Sequence, residues 1–151
     1  MKKFVFSLEN VLRFKTETLD MLKNEMSQLQ MKIHQLQQEI VQIQQEYDSL
    51  NKTLILQMKA GVQSTGISLY KRYFAELDRR TIQLEARKKA LQSAAAAKQK
   101  EIVHMKSDIS GLEKLRKSQW EEYQAQGRKE QELMVEEFVS HKSNDYDCYI
   151  A

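Results

Sequence analysis

The sequence predicts an all-α protein, a long antiparallel two-helix coiled coil (a helical hairpin) with a C-terminal helix overhang. Three observations support this prediction. Apolar residues recur at alternating steps of three and four residues along two stretches, 8–54 and 70–112. The 151 residues include no proline and only four glycines, so few positions interrupt a helix. Two of those glycines fall in the segment between the two stretches, 59–67, where the chain can turn back on itself.

The first stretch contains one apolar seam, which we define as the line of residues that faces a partner helix. Its members are Leu8, Leu12, Lys15, Leu19, Leu22, Met26, Leu29, Ile33, Leu36, Ile40, Ile43, Tyr47, Leu50 and Leu54. Lys15 interrupts the apolar run. A mean spacing of about 3.5 residues keeps such a seam on one side of a supercoiled helix. We therefore predict helix one over about 5–58, with Ser7 as its N-cap.

The segment 59–67 predicts the turn between the two helices. Gly61 tolerates the left-handed conformation that commonly ends a helix, and Thr65 or Ser68 is a suitable cap for the next one. Helix two is predicted over about 68–139, and its seam keeps the spacing of the first. The members of this second seam are Tyr70, Phe74, Leu77, Thr81, Leu84, Lys88, Leu91, Ala95, Lys98, Ile102, Met105, Ile109 and Leu112.

A short turn makes the two helices antiparallel neighbours, so residues whose numbers sum to about 127 are expected at one level. In that register Lys88 lies opposite Ile40 and Lys98 lies opposite Leu29. A parallel homodimer would instead bring each seam lysine against its own copy, and like charges there are unfavourable. The lysines therefore favour a hairpin within one chain.

Helix two continues past the start of helix one. Trp120 is expected beside Leu8 and Phe6, and the residues after it are expected to form an overhang with no partner helix. We predict one coiled-coil domain over 1–140, followed by a flexible tail over 141–151. Exposed apolar side chains at helical spacing on such an overhang usually bind a partner.

The composition and the motifs of the sequence argue against an enzyme or a metal-binding protein. The net charge is +3, which gives no strong attraction to nucleic acid or to anionic membranes. Motifs for phosphate binding, zinc hydrolysis or nucleophilic catalysis are absent from the sequence, and its three histidines are too dispersed for one metal site. We expect no enzyme activity, no cofactor and no metal. Cys148 is expected to be a free thiol, which fits a reducing cytoplasm.

A basic cluster lies just after the turn, and aromatic residues lie beside it. Its members are Lys71, Arg72, Arg79, Arg80, Arg87, Lys88 and Lys89. A solvated helix face and a docking surface for a protein are both open interpretations of this cluster. Tyr73 flanks the seam and cannot be wholly buried between two helices, and an exposed aromatic beside arginines is typical of a protein-binding hot spot.

Three motifs resemble the FliJ family of bacterial flagellar type III export proteins. The opening reads Phe4-x-Phe6-Ser7-Leu8-Glu9-x-Val11-Leu12-Arg13-x-Lys15. Around the turn the chain has Glu46-Tyr47 and then Tyr70-x-x-Tyr73-x-x-x-Leu77. Near the end it has Glu132-Leu133-x-x-Glu136-Glu137-Phe138, with Glu136-Glu137 where the family usually has Asp-Glu.

The resemblance implies a non-enzymatic protein of the flagellar export apparatus. Such proteins act as the central stalk of the hexameric export ATPase and bind both a membrane export gate protein of the FlhA type and export chaperones. They are cytoplasmic and reach the inner membrane only through the gate. The expected gate-binding residues are Ile43, Tyr47, Tyr73 and Leu77, and the expected ATPase-ring-binding residues are Phe4, Phe6, Leu133, Met134, Glu137 and Phe138.

Other functions remain open at this stage. The same coiled coil fits the stalk protein of a related injectisome, and it also fits a generic structural coiled coil that self-associates through exposed aromatic residues. A nucleic-acid-binding helical module ranks last, because it requires more positive charge and a continuous basic groove.

Overall fold

The computed structural model describes residues 2–61 and 63–150, with side chains described up to residue 144, and these residues form two α-helices. Helix α1 spans Glu9–Ala60 and helix α2 spans Ser64–Ile150. The two helices pack against each other, and the described residues are 94% helical and contain no strand. The predicted all-α helical hairpin is therefore confirmed.

Helix α1 begins at Glu9, later than the sequence predicts. The first helical hydrogen bond runs from the Leu12 amide to the Leu8 carbonyl at 2.9 Å, so Leu8 and not Ser7 occupies the N-cap position. A preceding turn is closed by the Glu9 amide, which donates to the Phe6 carbonyl at 3.2 Å. Residues 2–8 consequently form a non-helical arm before α1.

The connection between the helices is shorter than the predicted turn of 59–67, because α1 ends at Ala60 and α2 begins at Ser64. Gly61 has a φ of 88°, the left-handed conformation expected of a glycine that ends a helix. The Gln63 carbonyl accepts hydrogen bonds from the amides of Gly66 and Ile67, so α2 starts before either predicted cap. Val62 lies outside the described residues.

The end of α2 also differs from the prediction. The helix continues to Ile150, and residues 141–150, which the sequence assigns to a tail, are helical. Neither proline nor glycine occurs after Gly127, so no strong helix breaker stops α2 there. The flexibility of the tail stays a prediction, and the predicted free thiol of Cys148 lies outside the described side chains.

The chain divides into two compact units. The turn unit comprises residues 19–104, and the terminal unit comprises residues 1–18 together with 105–151. Each unit contains part of both helices and is described by itself below.

The core of the turn unit follows the predicted seams. Its buried residues are Leu19, Leu36, Ile40, Leu77, Ala95 and Ile102, and all of them are seam members. Ile40 and Leu77 are the most deeply buried, with 1% and 2% of their surface exposed. Seam residues thus form the core of this unit, because the narrow interface between two helices buries little else.

The core of the terminal unit combines seam residues with the arm. Leu12 and Ile109 are buried seam residues, and Phe6 of the arm is buried with them. Phe4 packs edge-on against Trp120, with 5.1 Å between the ring centroids, and Trp120 stacks on Tyr123 at 5.5 Å. Trp120 therefore contacts Phe4 of the arm, whereas the sequence predicted that it would lie beside Leu8 and Phe6.

Polar contacts between the helices correct the predicted register. Lys98 binds Glu25 and Lys88 binds Gln37, whereas the sequence placed these lysines opposite Leu29 and Ile40. Paired residue numbers in the turn unit sum to 123 and 125 for the two lysine contacts, to 121 for Tyr47 and Phe74, and to 127 for Tyr70 and Gln57. They are therefore centred on about 124, and not on about 127. The short connection explains the difference, because a turn at 61–63 centres the hairpin on an earlier residue.

Candidate functional site

The residues predicted to bind the export gate occupy different environments in the turn unit. Leu77 is buried between the helices and Ile43 is half-buried, so both contribute mainly to packing. Tyr73 is 48% exposed and Tyr47 is 39% exposed. The ring of Tyr47 also packs against Phe74, with 4.7 Å between the ring centroids. Tyr73 therefore offers the most accessible surface among these four residues.

Tyr73 and Tyr47 line two separate concavities. Tyr73 borders a shallow concavity of about 510 Å³, whose other lining residues come from α1: Gln42, Gln45, Glu46, Ser49, Leu50 and Thr53. Tyr47 borders a smaller one of about 190 Å³ with Ile43, Gln44, Asp48, Asp78 and Thr81. Tyr73 and Tyr47 therefore line different concavities. A partner that contacts both tyrosines must cover more of the surface than one concavity.

Part of the positive charge of the basic cluster is neutralised by Glu76, an acidic residue of the same helix. Arg79 donates two hydrogen bonds to the Glu76 carboxylate, from Nε to Oε2 at 3.0 Å and from Nη2 to Oε1 at 2.6 Å. These hydrogen bonds lower the pKa of Glu76 from its ordinary value of 4.5 and raise the pKa of Arg79. Arg80 lies 3.6 Å from the same carboxylate. The solvated-face interpretation therefore accounts for Arg79 and Arg80.

Phe4 and Phe6, predicted to bind the ATPase ring, belong to the packing of the terminal unit. Phe6 is buried, and Phe4 contacts both Trp120 and Tyr123. The Tyr123 hydroxyl also donates a hydrogen bond to the Lys2 carbonyl, which fixes the start of the arm. Trp120 remains 40% exposed beside Phe4 and borders a concavity of about 510 Å³.

The remaining ring-binding candidates lie on an exposed part of α2. All described side chains from Arg128 to Asn144 are exposed, and we call this segment the overhang. Its large apolar side chains are Leu133, Met134, Val135, Phe138 and Val139. Phe138 is 61% exposed, and the Lys142 ammonium lies 5.1 Å from its ring centroid.

Four of these apolar residues form a stripe along the overhang. At 100° per residue, Met134, Val135, Phe138 and Val139 span roughly 140° of the helix surface, the width of the face that a surface helix usually buries. Met134, Val135 and Phe138 border one concavity with Glu137 and His141. Met134, Glu137 and Phe138 belong to the predicted ring-binding set, whereas Val135 and Val139 do not, although helical periodicity alone could have identified them.

Two of the seam lysines have acidic partners that the sequence pattern did not predict. Lys15 Nζ lies 2.8 Å from Asp108 Oδ2, and Lys98 binds Glu25. The hydrogen bond that Lys98 donates to the Glu25 carboxylate raises the pKa of Lys98 above its ordinary value of 10.5. Each acid directly precedes a seam residue of the opposite helix, a spacing that is visible in the sequence once the register is known.

The part of the chain that the structure describes has neither a metal-binding cluster nor a membrane-spanning segment. Within residues 2–61 and 63–144, histidine, cysteine, aspartate and glutamate side chains form no group of three that is suited to a metal ion. Among the described residues, neither α1 nor α2 contains a segment long and apolar enough to cross a membrane.

Comparison with known proteins gives one match. A family model described as "Flagellar FliJ protein" matches residues 4–145, which is nearly the whole chain. The matched range includes the arm, both helices and the apolar stripe of the overhang. No curated protein and no solved structure matches the chain at a significant level.

Proposed function

The chain belongs to the FliJ family and is a flagellar protein associated with export, and from this premise we propose that it is the central stalk of the hexameric flagellar export ATPase. In this role it also links the ATPase to an export gate protein of the FlhA type and to export chaperones. It acts at the cytoplasmic face of the inner membrane, which it reaches through the gate. It binds its partners and catalyses no reaction itself.

The observation that carries the proposal is the apolar stripe of the overhang. Met134, Val135, Phe138 and Val139 lie on one face of α2, and all four are exposed. Leaving such a face in water is unfavourable by about 25 cal/mol per Å² of apolar surface, so burial against a partner is favourable. A helix that extends beyond its hairpin fits the opening at the centre of an ATPase ring.

Binding in that opening gives the stalk an effect on the ATPase by mass action. A ligand that binds the assembled hexamer and not the free subunits favours the hexamer in proportion to its concentration above Kd. Because neighbouring subunits of a ring ATPase complete each other's active sites, more hexamer means more ATP hydrolysis. We therefore expect the full chain to increase both hexamer formation and ATP turnover.

The test replaces Met134 and Phe138 by serine in the full chain. We expect this variant to fold normally and to lose most of its stimulation of the purified export ATPase, measured by phosphate release and by the hexamer fraction in light scattering. The matched control is Val103→Ser, which removes an equally exposed apolar side chain from α2 outside the overhang. Full stimulation by the double variant would remove the stripe from the mechanism.

The contact with the export gate is proposed at Tyr73 and Tyr47, the two accessible residues of the predicted set. Tyr73 is the better test, because its side chain contributes little to the core of the turn unit. We expect Tyr73→Ala to weaken binding to the purified cytoplasmic domain of the gate by about tenfold or more, as is typical of a hot-spot aromatic. The control is Ile82→Ala, an exposed apolar side chain on the same helix. Unchanged affinity with Tyr73→Ala would place the gate contact elsewhere.

A further inference from the structure

The seams of this hairpin fit together in more than one register. Along each helix, seam residues alternate at steps of three and four, so sliding one helix by three or four residues again places seam opposite seam. The observed register has paired numbers that sum to about 124, and the slid register has sums of about 127 to 128. Within the turn unit both registers bury the same seam side chains, so seam packing there separates them only weakly. In the terminal unit the contacts of Phe4 with Trp120 and Tyr123 belong to the observed register.

The connection between the helices also tolerates both registers. In the slid register the turn would be centred between Gly61 and Gly66, with Gln63 and Ser64 at its middle and Thr65 next to them. Glycines and small hydroxyl residues are the usual components of such turns. The observed structure instead includes Gly66 in the first turn of α2.

The seam lysines distinguish the two registers. In the observed structure Lys98 forms an ion pair with Glu25 inside the turn unit, and Lys15 forms one with Asp108 inside the terminal unit. The side chain of Lys98 is 24% exposed and that of Lys15 is 30% exposed. Because water reaches each ammonium only in part, the ion pair stabilises it more than it would stabilise a fully exposed ammonium.

Sliding the helices would separate both pairs. Lys98 would move to the level of Leu29, about 4.5 Å along the axis, which takes it away from Glu25 and towards Lys32. Lys15 would move to the level of Leu112, away from Asp108. Lys98 would gain a like charge as a neighbour, and both observed ion pairs would be broken. Lys15 would then lie near Glu113, which directly follows Leu112, so Lys98 separates the two registers more strongly than Lys15 does.

We propose that Lys15 and Lys98, through Asp108 and Glu25, select one of two nearly equivalent registers of this hairpin. The physical basis is that a polar residue in a coiled-coil seam lowers stability but penalises every register in which it lacks its partner. The two lysines therefore act as register selectors, one in each unit. This proposal does not depend on the stalk function.

The test replaces both lysines by leucine, in a chain that also carries Cys148→Ser. Spin labels on Ser49→Cys and Ser93→Cys, which are exposed in the turn unit, report the register as a distance. Their separation along the axis is roughly 27 Å in the observed register and roughly 22 Å in the slid one. The matched control is Lys23→Leu with Lys100→Leu, which removes two exposed lysines outside the seams.

We expect a single distance in the parent chain and in the control variant. We expect two distances, about 5 Å apart, in the Lys15→Leu/Lys98→Leu variant, with the slid register populated about tenfold more than in the parent. Helicity and the melting temperature should be unchanged or higher, because leucine is favourable in a seam. A single unchanged distance in a folded variant would overturn the proposal.

The Lys15→Leu/Lys98→Leu variant could form dimers in which the seams of two chains pack together. A second pair of variants tests the proposal in that event. Lys98→Glu alone opposes Glu25 and should populate the slid register, whereas Lys98→Glu with Glu25→Lys restores the ion pair and should return the chain to one distance. A purely stabilising role for the lysine would alter the melting temperature of Lys98→Glu without adding a second distance, and that result would also overturn the proposal.

Discussion

The turn unit and the terminal unit use their apolar residues in different ways. In the turn unit the buried residues all come from the two seams, and each helix covers the other. In the terminal unit an arm with two phenylalanines adds to the packing, while α2 carries an apolar stripe that remains exposed. We therefore expect substitutions of buried seam residues mainly to affect folding, and substitutions of the exposed stripe to have little effect on folding.

The largest effect on folding is expected in the core of the turn unit. Ile40→Ala removes a side chain with 1% exposure, and we expect it to lower the free energy of unfolding by about 2–4 kcal/mol. Denaturation in urea, followed by circular dichroism, measures this change. Val41→Ala, at an exposed position next to it, should change the same quantity by about 0.5 kcal/mol or less. Equal effects at the two positions would contradict the seam assignment.

A smaller effect is expected at the aromatic cluster of the terminal unit. Phe4→Ala removes the edge-on ring contact with Trp120 and the contact with Tyr123, and we expect it to destabilise the protein by about 1–2 kcal/mol. Trp120 is the single tryptophan of the chain, so its fluorescence should shift to longer wavelength as the arm detaches. The neighbouring Val5→Ala, which alters an exposed side chain, should leave both measurements unchanged.

The overhang should contribute still less to stability. Met134→Ser with Phe138→Ser alters two exposed side chains and should change the free energy of unfolding by about 0.5 kcal/mol or less. Unchanged stability together with a loss of ATPase stimulation would mean that the stripe binds a partner and is not part of the folding core. A cooperative loss of stability in the double variant would mean that the stripe is already buried, for example between two copies of the chain.

The smallest effect concerns pH. Because the pKa of Glu76 is lowered by Arg79, this ion pair stabilises the folded chain above about pH 4.5 and loses its contribution as pH falls through the lowered value. Glu76→Gln should therefore have a slightly lower melting temperature than the parent chain at pH 7 and the same one near pH 2. Glu85→Gln, an exposed change on the same helix, should show no such difference.

The seams were predictable because burial between two helices selects residues by a period that the sequence displays directly. Nearly every predicted seam residue is buried or half-buried, and even Lys15 occupies its predicted position. The register was not predictable in the same way, because the repeat that identifies a seam also permits the seam to slide. The predicted sum of about 127 corresponds to the slid register.

The overhang shows the same difference between what the sequence predicts and what only the structure decides. The sequence identified Leu133, Met134 and Phe138 as apolar residues without a partner helix, and they are exposed. It also grouped Phe4 and Phe6 with them, although the structure packs both into the terminal unit. Hydrophobicity marks a residue as one that will be buried, but the choice between burial in the same chain and burial against a partner depends on which surfaces lie within reach.

The sequence by itself determined the helical hairpin, the residues of both seams and the overhang, because all three follow from local periodicity and from the positions of glycine. The tertiary structure decided the register, the packing of the arm on Trp120 and the partners of the seam lysines. These features depend on contacts between residues about 50 to 120 positions apart in the chain. Whether two such residues meet depends on the length of one turn, and a difference of a few residues there changes the partner of every side chain along the hairpin.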